Sequence, residues 1–298
     1  MQEDADPAFP GAALAYDLAG CLRFYSRLPV PTLPGEGDPH AVPDFRTLPR
    51  MLPLAGVILA LPGALVLLAA WGLGLGPFLA ATLGVTAGVL VTGALHEDGL
   101  ADVADGFGGG GNPARRLEIM RDSRIGAYGG VALVLTLALR IGALATLLDR
   151  TGALAALALM LSLALRIGAL ATLLDRGGSL AALALVLAAA LSRSAALAPL
   201  ALLPPARTDG AGAAVGRPSR ETLITAGALA VGLTLLALLL GLPPLGGILM
   251  LGSCALAALG VTALAHRSIG GQTGDVVGAA QQLAEIAALL GLVAAIPV

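Results

Sequence analysis

Long apolar runs alternate with short polar segments along most of the 298-residue chain. Eight of these runs are about 20 residues long, the length at which a helix rising about 1.5 Å per residue crosses roughly 30 Å of hydrocarbon. Backbone polar groups inside a membrane must bond to one another, which favours helices. The pattern therefore predicts an all-α, polytopic membrane bundle of about seven to eight hydrophobic segments. The eight runs are residues 51–73, 77–95, 127–148, 153–174, 179–203, 223–242, 244–265 and 277–296.

A shorter segment of mixed character precedes the first run. Residues 11–28 combine apolar positions with one aspartate and two arginines, and prolines follow directly. Such a pattern is typical of an amphipathic helix that lies at the membrane interface and ends at a proline. We therefore predict that residues 1–50 form an N-terminal interfacial segment of a single membrane-embedded domain, 1–298.

The distribution of arginine predicts how the chain is oriented. The link between the first two runs, residues 72–76, is uncharged, whereas the segments that flank those runs carry arginine. Positively charged short loops stay on the cytoplasmic side of a membrane. The N-terminus and the 96–126 loop are therefore predicted to be cytoplasmic, in a multi-pass protein of the cell (cytoplasmic or inner) membrane.

A tandem duplication of 26 residues occupies the middle of the chain, within residues 137–176. The sequence LALRIGALATLLDR occurs at 137–150 and again, unchanged, at 163–176. Identity over these fourteen residues indicates a recent duplication, because older internal repeats diverge.

The duplication bears on the topology. One additional crossing would place the arginine-bearing loop 204–222 on the opposite side from the 96–126 loop, against the positive-inside rule. We predict that the additional unit makes no net crossing. Arg140 and Arg166, one in each copy, favour this because an arginine at the bilayer centre costs about 2.5 to 3.5 kcal/mol on insertion scales.

Composition narrows the class of protein. With 57% hydrophobic and 12% charged residues and a mean hydropathy of +0.89, the chain is too apolar for an ordinary soluble domain. A net charge of −2 argues against a nucleic-acid binder, which would show a basic stripe. Cys21 and Cys254 are far apart in sequence and fit neither a disulfide framework nor a metal-ligand spacing.

The densest polar segment is residues 93–130, which holds six of the nineteen acidic residues and four of the seventeen arginines. Asp98, Asp102 and Asp105 are spaced i, i+4 and i+7, so on a helix they fall within an arc of about 60°. Carboxylates in this register suit Mg²⁺, which takes oxygen ligands and keeps positions for water and substrate phosphates. The spacing therefore predicts a Mg²⁺ site on one helix face.

A second acidic pair follows on the next predicted helix. Glu118 and Asp122 are again i and i+4, and a glycine-rich turn at 107–113 would let the two acidic helix ends face each other. The alternative is a solvated acidic loop balanced by nearby arginines. Acidic residues at the mouths of spanning helices favour the functional interpretation. His96 beside Glu97 is either a further ligand or an incidental interfacial histidine.

Four ordered segments resemble the adenosylcobinamide-GDP ribazoletransferase family, also called cobalamin synthase. They span most of the chain together with the hydrophobic frame, and as a set they are highly specific. The 26-residue duplication departs from the family pattern. The segments are RFYSRLPVP at 23–31, HEDGLADVADGFGGG at 96–110, RRLEIMRDSRIGAYG at 115–129 and GGQTGDVVGAAQQLAE at 270–285.

The resemblance implies Mg²⁺-dependent transfer of the adenosylcobinamide phosphate moiety from its GDP-activated form to α-ribazole or α-ribazole 5'-phosphate, with release of GMP. A hydroxyl or phosphate oxygen of the ribazole would attack in line. Metal ions on Asp98, Asp102 and Asp105 would neutralise the diphosphate. If free ribazole is the acceptor, its hydroxyl needs a base, for which Asp122 is the candidate, with Glu118 as a further metal ligand. Asp102 and Asp105 are thus expected to be catalytic as well as metal-binding.

Several further residues are predicted to contact substrate. The arginines after the acidic helix suit phosphate contacts or act as topology determinants. Arg193 interrupts an apolar run and either reaches a phosphate or packs between helices. Arg207 and Asp209 are placed to serve nucleotide or corrin side chains. The arginines after the acidic helix are Arg115, Arg116 and Arg124.

The segment at 270–285 is expected to complete the site. Its glycines allow backbone amides to cradle an anion, with Thr273 placed to cap the helix that follows. Asp275 and Glu285 lie about 80° apart around that helix, so one or both are candidates for the metal or acceptor site.

Three other functions remain open from the sequence. A CDP-alcohol phosphotransferase shares part of the acidic signature, but it has aspartate where Glu118 stands. A cation transporter would carry acids in several spans, and a scaffold for corrinoid enzymes would tolerate loss of the carboxylates. The expected partners are the two substrates and the lipid bilayer, and both a homo-oligomer and a complex with other corrinoid-assembly enzymes remain open.

Overall fold

The computed structural model describes residues 11–39, 41–163, 178–207 and 216–296, with side chains described outside 151–163 and 178. Within these ranges the structure contains α-helices, one short 3₁₀ helix at Leu48–Met51 and no strand. In chain order the helices are α1 (Ala12–Tyr25), α2 (Leu52–Gly72), α3 (Pro77–Thr92), α4 (Leu95–Gly109), α5 (Pro113–Ile119), α6 (Ala127–Leu163), α7 (Gly178–Ala195), α8 (Leu197–Leu202), α9 (Arg220–Leu239), α10 (Pro244–Ile269) and α11 (Gly274–Ala295).

Six helical stretches in the described ranges are long and apolar enough to cross a membrane, and α3 with α4 would make a seventh if that bent pair is one span. The prediction of an all-α polytopic bundle is confirmed. The predicted run at 153–174 lies mostly outside the described residues. The six stretches are Leu48–Gly72, Ala127–Arg150, Ser179–Leu202, Arg220–Leu239, Pro244–Ile269 and Gly274–Ala295.

The break between α3 and α4 is a turn of 90°. Gly93 and Ala94 both have left-handed backbone angles, with φ of 64° and 60°, and this ends α3 at Thr92. The end of α1 supports the bend, because Arg27 donates its backbone N–H to Val91 O at 2.8 Å. A Cβ at Gly93 would lie 2.3 Å from Arg27 Nε, so glycine is required on both conformational and steric grounds. The acidic helix α4 therefore leaves the direction of the spanning helices.

Small residues bring the spanning helices into close contact. A Cβ at Gly56 of α2 would lie 2.6 Å from Ala189 O of α7, and one at Gly63 would lie 2.8 Å from Gly84 O of α3. Glycine at such crossings lets the helix backbones approach closely. In lipid there is no hydrophobic driving force between helices, so close van der Waals packing at small residues drives their association. The core between these helices is correspondingly rich in alanine and leucine.

Helix α11 occupies the centre of the bundle, in contact with α4, α6, α7 and α10. Its N-terminus is capped by Thr273, whose Oγ1 accepts the backbone N–H of Val276 at 3.3 Å. The predicted cap is confirmed, and it places Asp275 in the first turn of the helix.

Three polar segments meet at one end of the bundle. Arg116 Nη1, after α4, donates to Ser268 O at the end of α10 at 2.8 Å. Gln272 N donates to Pro204 O at 2.8 Å, and Ala206 N donates to Gln272 O at 2.9 Å. Within the described residues, α6 begins near this end and α8 is followed by a segment that returns to it. The prediction that the additional repeat unit makes no net crossing falls on residues 163–176, which lie almost entirely outside the described residues.

Candidate acidic site at the mouth of the bundle

The three predicted aspartates lie on one helix, α4, but they differ in environment. Asp98 is exposed, Asp102 is half-buried and Asp105 is buried at 9% exposure. The helix carries them because its apolar positions, among them Leu100 and Val103, pack inward. Along this one helix the exposure of the carboxylates thus decreases from Asp98 to Asp105.

Asp105 has a positioning role that the sequence did not reveal. Its Oδ2 accepts the N–H of Gly126 at 2.7 Å, and its Oδ1 accepts the N–H of Gly129 at 2.8 Å. These donors belong to the start of α6, where backbone N–H groups lack helical partners. A Cβ at either glycine would come within 2.4 Å of the carboxylate oxygens. Asp105 therefore joins α4 to the beginning of α6, and the glycines of the GAYGG segment were the signal for it.

Asp102 lies in a cluster of acids that extends to a second helix. Helix α4 is not one of the six spanning stretches, and its Gly99 packs closely on α11: a Cβ there would lie 3.1 Å from Asp275 Cα. Burial raises the pKa of Asp102 to about 7, with further contributions from the negative charges of Asp275, Asp98 and Asp105. The structure thus brings Asp275 to the predicted acidic face.

One cation reaches this cluster from the α8–α9 connection. Arg207 Nη2 lies 3.4 Å from Asp275 Oδ2 and 3.4 Å from Leu117 O, and its Nε is buried with no hydrogen-bond partner in the described residues. Thr273 Oγ1 also donates to Asp275 Oδ2 at 3.2 Å. Arg207 and Thr273 are therefore at the site, as expected, while Asp209 lies outside the described residues.

The donor set is compatible with Mg²⁺, although it is not a preformed cage. Among the described residues no group of three or more His, Cys, Asp or Glu side chains is arranged closely enough to hold a metal. Mg²⁺ usually binds through one or two carboxylates and completes its shell with water and substrate phosphates. Asp98, Asp102 and Asp275 supply hard oxygen atoms, and one or two of them could bind such an ion together with water and substrate phosphates.

The second acidic pair does not join this cluster. Glu118 pairs with Arg115 at 2.7 Å, and Asp122 pairs with Arg124 at 2.6 Å, all on exposed or half-exposed surface. Hydrogen bonds from the Arg124 side chain and backbone lower the pKa of Asp122 to about 2, which makes its carboxylate a weak base in this arrangement. The sequence predicted that the acidic helix carrying Asp98 would face the one carrying Glu118. In the structure α4 packs instead against α11, which carries Asp275.

Arg116 is engaged in the structure rather than free to meet a phosphate. Its Nε donates to Gly110 O at 2.9 Å, while Nη1 holds Ser268 O. A Cβ at Gly110 would lie 2.3 Å from the Arg116 side chain, which accounts for a glycine at that position. Arg115 and Arg124 remain exposed, at 57% and 87% of their side-chain surface.

A buried polar network lies deeper, between the spanning helices. Arg140 of α6 donates to Glu97 Oε1 and to Glu285 Oε1, both at 2.8 Å. Gln282 Nε2 bonds to Glu97 Oε1 at 3.0 Å, and Gln281 Nε2 bonds to Glu285 Oε2 at 2.7 Å. Glu285 is therefore part of an ion-paired core rather than of the acidic cluster. The expected membrane cost of Arg140 is offset by two buried carboxylates, so that residue gives no support to the topology argument.

Arg193 borders this network without an ion pair in the described residues. Its Nη1 donates to Ala189 O of its own helix at 3.0 Å, and its Nε has no partner there. It lines a small cavity of about 30 Å³ together with Glu97, Arg140 and Glu285. That volume suits about one water molecule and not a phosphate, so the packing alternative for Arg193 fits better.

A larger pocket of about 210 Å³ opens beside the acidic cluster. Its walls come from five separate parts of the chain, which is why the sequence did not predict it. Its acidic rim is Asp98 and Asp275, and its apolar lining is Phe24, Tyr25, Phe45, Leu95, Leu200 and Val277. His96 stacks on Tyr25 with ring centroids 5.7 Å apart, and burial holds the pKa of His96 well below its usual value. The burial of His96 and the stacking of its ring on Tyr25 favour the incidental over the metal-ligand interpretation.

Comparison with known proteins gives a consistent result. The family described as cobalamin-5-phosphate synthase matches residues 17–150 and 148–293, so the break falls at the end of the first repeat copy. Two similar proteins are each named adenosylcobinamide-GDP ribazoletransferase. One, from Azorhizobium caulinodans, is 46% identical over 93% of this chain and 94% of its own length. The other, from Xanthobacter autotrophicus, is 48% identical over 94% and 96%.

A relative of the same name from Sinorhizobium medicae is 42% identical over 94% of this chain and 97% of its own length. No solved structure matches. Agreement over nearly the full length, with the acidic helix, the capped α11 and the spanning frame all in place, shows that this chain belongs to the cobalamin-5-phosphate synthase family of cobalamin-forming transferases.

Proposed function

We propose that the protein transfers the adenosylcobinamide phosphate moiety from adenosylcobinamide-GDP to α-ribazole or α-ribazole 5'-phosphate, with Mg²⁺ and with release of GMP. The names of the relatives supply the substrates. The observation that carries the proposal is the meeting of acids from α4 and α11 with Arg207 at the rim of a pocket. A diphosphate donor needs such a place, where a divalent cation and an arginine oppose its charge.

The reaction exchanges one phosphorus–oxygen bond for another. An acceptor oxygen bonds to the phosphorus next to cobinamide, the bond from that phosphorus to the bridging oxygen breaks, and the bridging oxygen leaves on GMP. The phosphorylated acceptor would keep its 5'-phosphate in the product, so a ribose hydroxyl attacks in both cases. Its proton passes to a base as the bond forms.

Each residue at the site has a distinct part in this scheme. One or two of Asp98, Asp102 and Asp275 would hold Mg²⁺, which when bound would neutralise the diphosphate and the departing GMP. Arg207 lies beside Asp275 and is placed to contact a phosphate oxygen. Asp105 orients α4 against α6, so that the other aspartates keep their direction.

Orientation in the membrane is part of the same proposal. The polar end of the bundle is taken to face the cytoplasm of the cell membrane, where both phosphorylated substrates would be found. Support comes from the arginines on the segments at this end, in accordance with the positive-inside rule.

The decisive experiment uses the full chain purified in detergent or nanodiscs. With Mg²⁺, adenosylcobinamide-GDP and α-ribazole, we expect GMP and adenosylcobalamin in equal amounts, and no product when Mg²⁺ is chelated. Asp102→Asn should reduce turnover by at least a hundredfold, while Asp44→Asn, at an exposed aspartate paired with Arg46, should not. Well-folded protein that forms no product, or that prefers a CDP-activated lipid donor, would overturn the proposal.

Asp122 as the general base is a separate prediction. Asp122→Asn should lower turnover by roughly 10²- to 10⁴-fold with either acceptor, the usual contribution of a general base. For Asp122 to act, Arg124 must release its carboxylate, because the pairing holds the pKa of Asp122 near 2. Near-normal turnover of Asp122→Asn with free α-ribazole would remove the assignment.

A further inference from the structure

We propose that the pocket of about 210 Å³ beside the acidic cluster binds the benzimidazole base of the ribazole acceptor. This inference rests on the proposed function, and it assigns the acceptor to one side of the acidic site. The sequence alone did not predict that the residues of the apolar walls bind the acceptor base.

The chemistry of the walls suits a flat apolar base. Phe24 packs edge-on against Tyr25 and Phe45, with ring centroids 4.8 and 5.4 Å apart. Leu95 and Val277 add aliphatic surface. Aromatic walls bind planar rings through stacked or edge-to-face contacts. A dimethylbenzimidazole has no exocyclic polar group and, once joined to ribose, one ring nitrogen that accepts a hydrogen bond, so it loses few hydrogen bonds to water in such a pocket.

The same walls disfavour the other rings in the reaction. Guanine carries several donors and acceptors, which would lose their water partners against phenylalanine and leucine, and unsatisfied polar groups are costly to bury. The volume of about 210 Å³ is enough for a bicyclic base and far too small for a corrin macrocycle. Of guanine, the corrin macrocycle and the base of ribazole, the base of ribazole is the one that fits.

The position of the pocket then orients the acceptor. Asp98 and Asp275 form its acidic rim, and Gly274 and Gly278 of α11 leave room there. A ribose attached to a base in the pocket lies beside the carboxylates that face the donor diphosphate. Apolar binding of the base thus delivers a ribose hydroxyl to the reacting phosphorus, which is the usual way that remote contacts serve catalysis.

The test fills the pocket from a position that has space. Gly274 lines the pocket and a Cβ there would meet nothing within 4 Å, so Gly274→Leu adds bulk at the pocket without a backbone clash. We expect the KM for α-ribazole to rise at least tenfold, with the KM for adenosylcobinamide-GDP within twofold and kcat within threefold. Gly260→Leu is the matched control, because it also meets nothing within 4 Å and is exposed on α10.

A second measurement does not depend on turnover. Equilibrium dialysis of free α-ribazole against the full chain, without donor or Mg²⁺, should give a Kd raised at least tenfold by Gly274→Leu and unchanged by Gly260→Leu. Leu95→Trp, at a side chain that is 43% exposed, is the second filling variant should Gly274→Leu fail to fold.

The outcomes separate the two proposals. A wild-type protein that forms no cobalamin contradicts the proposed function. A wild-type protein that forms cobalamin, together with filled variants whose KM and Kd for α-ribazole are unchanged, overturns the pocket assignment. Release of a co-purified lipid by Gly274→Leu, without any change in α-ribazole binding, would assign the pocket to a lipid chain and overturn it as well.

Discussion

At the residue scale, the carboxylate of Asp105 shows how one side chain is used for geometry. Both of its oxygens accept backbone N–H groups at the start of α6, from Gly126 and Gly129. A carboxylate at a helix N-terminus accepts hydrogen bonds from N–H groups that have no partner within the helix. Its negative charge also interacts favourably with the positive end of the helix dipole. The two aspartates that precede it on α4, Asp98 and Asp102, are left for substrate and metal.

This contact yields a prediction with an adjacent control. Gly129→Ala places a Cβ 2.3 Å from Asp105 Oδ2 and 3.0 Å from Ala101 O, so α4 and α6 must separate. We expect activity to fall at least tenfold, measured as GMP release. Gly130→Ala, whose Cβ would come no closer than 4.0 Å to Ile125 Cγ2, should retain activity. Equal activity of the two variants would contradict the role given to Asp105.

At the scale of helices, the association of α4 with α11 forms the site. Gly99 permits it, since its backbone rests on Asp275. Gly99→Leu should push the helices apart and separate Asp98 and Asp102 from Asp275, lowering turnover at least a hundredfold while the protein stays folded. Gly227→Leu, exposed on α9 with nothing within 4 Å, is the control. Full activity of Gly99→Leu would refute this packing.

The buried network joins α4, α6 and α11 in a second way. Arg140→Met would leave the carboxylates of Glu97 and Glu285 buried without their cation, and breaking such a pair costs about 3 to 5 kcal/mol. We expect a large loss of thermal stability in detergent. Arg46→Met removes an exposed pair that solvent screens, and it should change thermal stability little. Restoration by Glu97→Gln and Glu285→Gln in the Arg140→Met background would confirm that unpaired charge is the cause.

At the scale of the whole molecule, the polar segments around α5, α8 and α11 meet at one end of the bundle, and the α2–α3 link lies between successive spans. Single cysteines report on this, because the native Cys21 and Cys254 are buried. We expect Ser219→Cys to be labelled by a membrane-impermeant thiol reagent only from the cytoplasmic side. Leu73→Cys, at an 82% exposed position, should be labelled only from outside. Labelling of Ser219→Cys from outside alone would contradict the orientation.

Much of this architecture is readable from the sequence by itself. Runs of apolar residues predict spanning helices because hydrocarbon leaves the backbone no other partner. The register of Asp98, Asp102 and Asp105 on one helix follows from helical periodicity, and the cap at Thr273 follows from the chemistry of helix ends. These features depend on neighbours in the chain, so local rules suffice for them.

The ion pairs and the pocket at the site depend on which helices pack against each other, and only the tertiary structure shows this. Glu285 and Arg140 are 145 residues apart, and nothing local distinguishes a carboxylate that will meet an arginine from one that will meet a metal. Asp122 likewise has the spacing of a metal ligand, yet it forms an ion pair with Arg124 at the surface. The apolar pocket is assembled from α1, α4, α8, α11 and the segment around Phe45. Charge pairing and cavities arise from contacts between distant segments, and periodicity along one helix carries no information about those contacts.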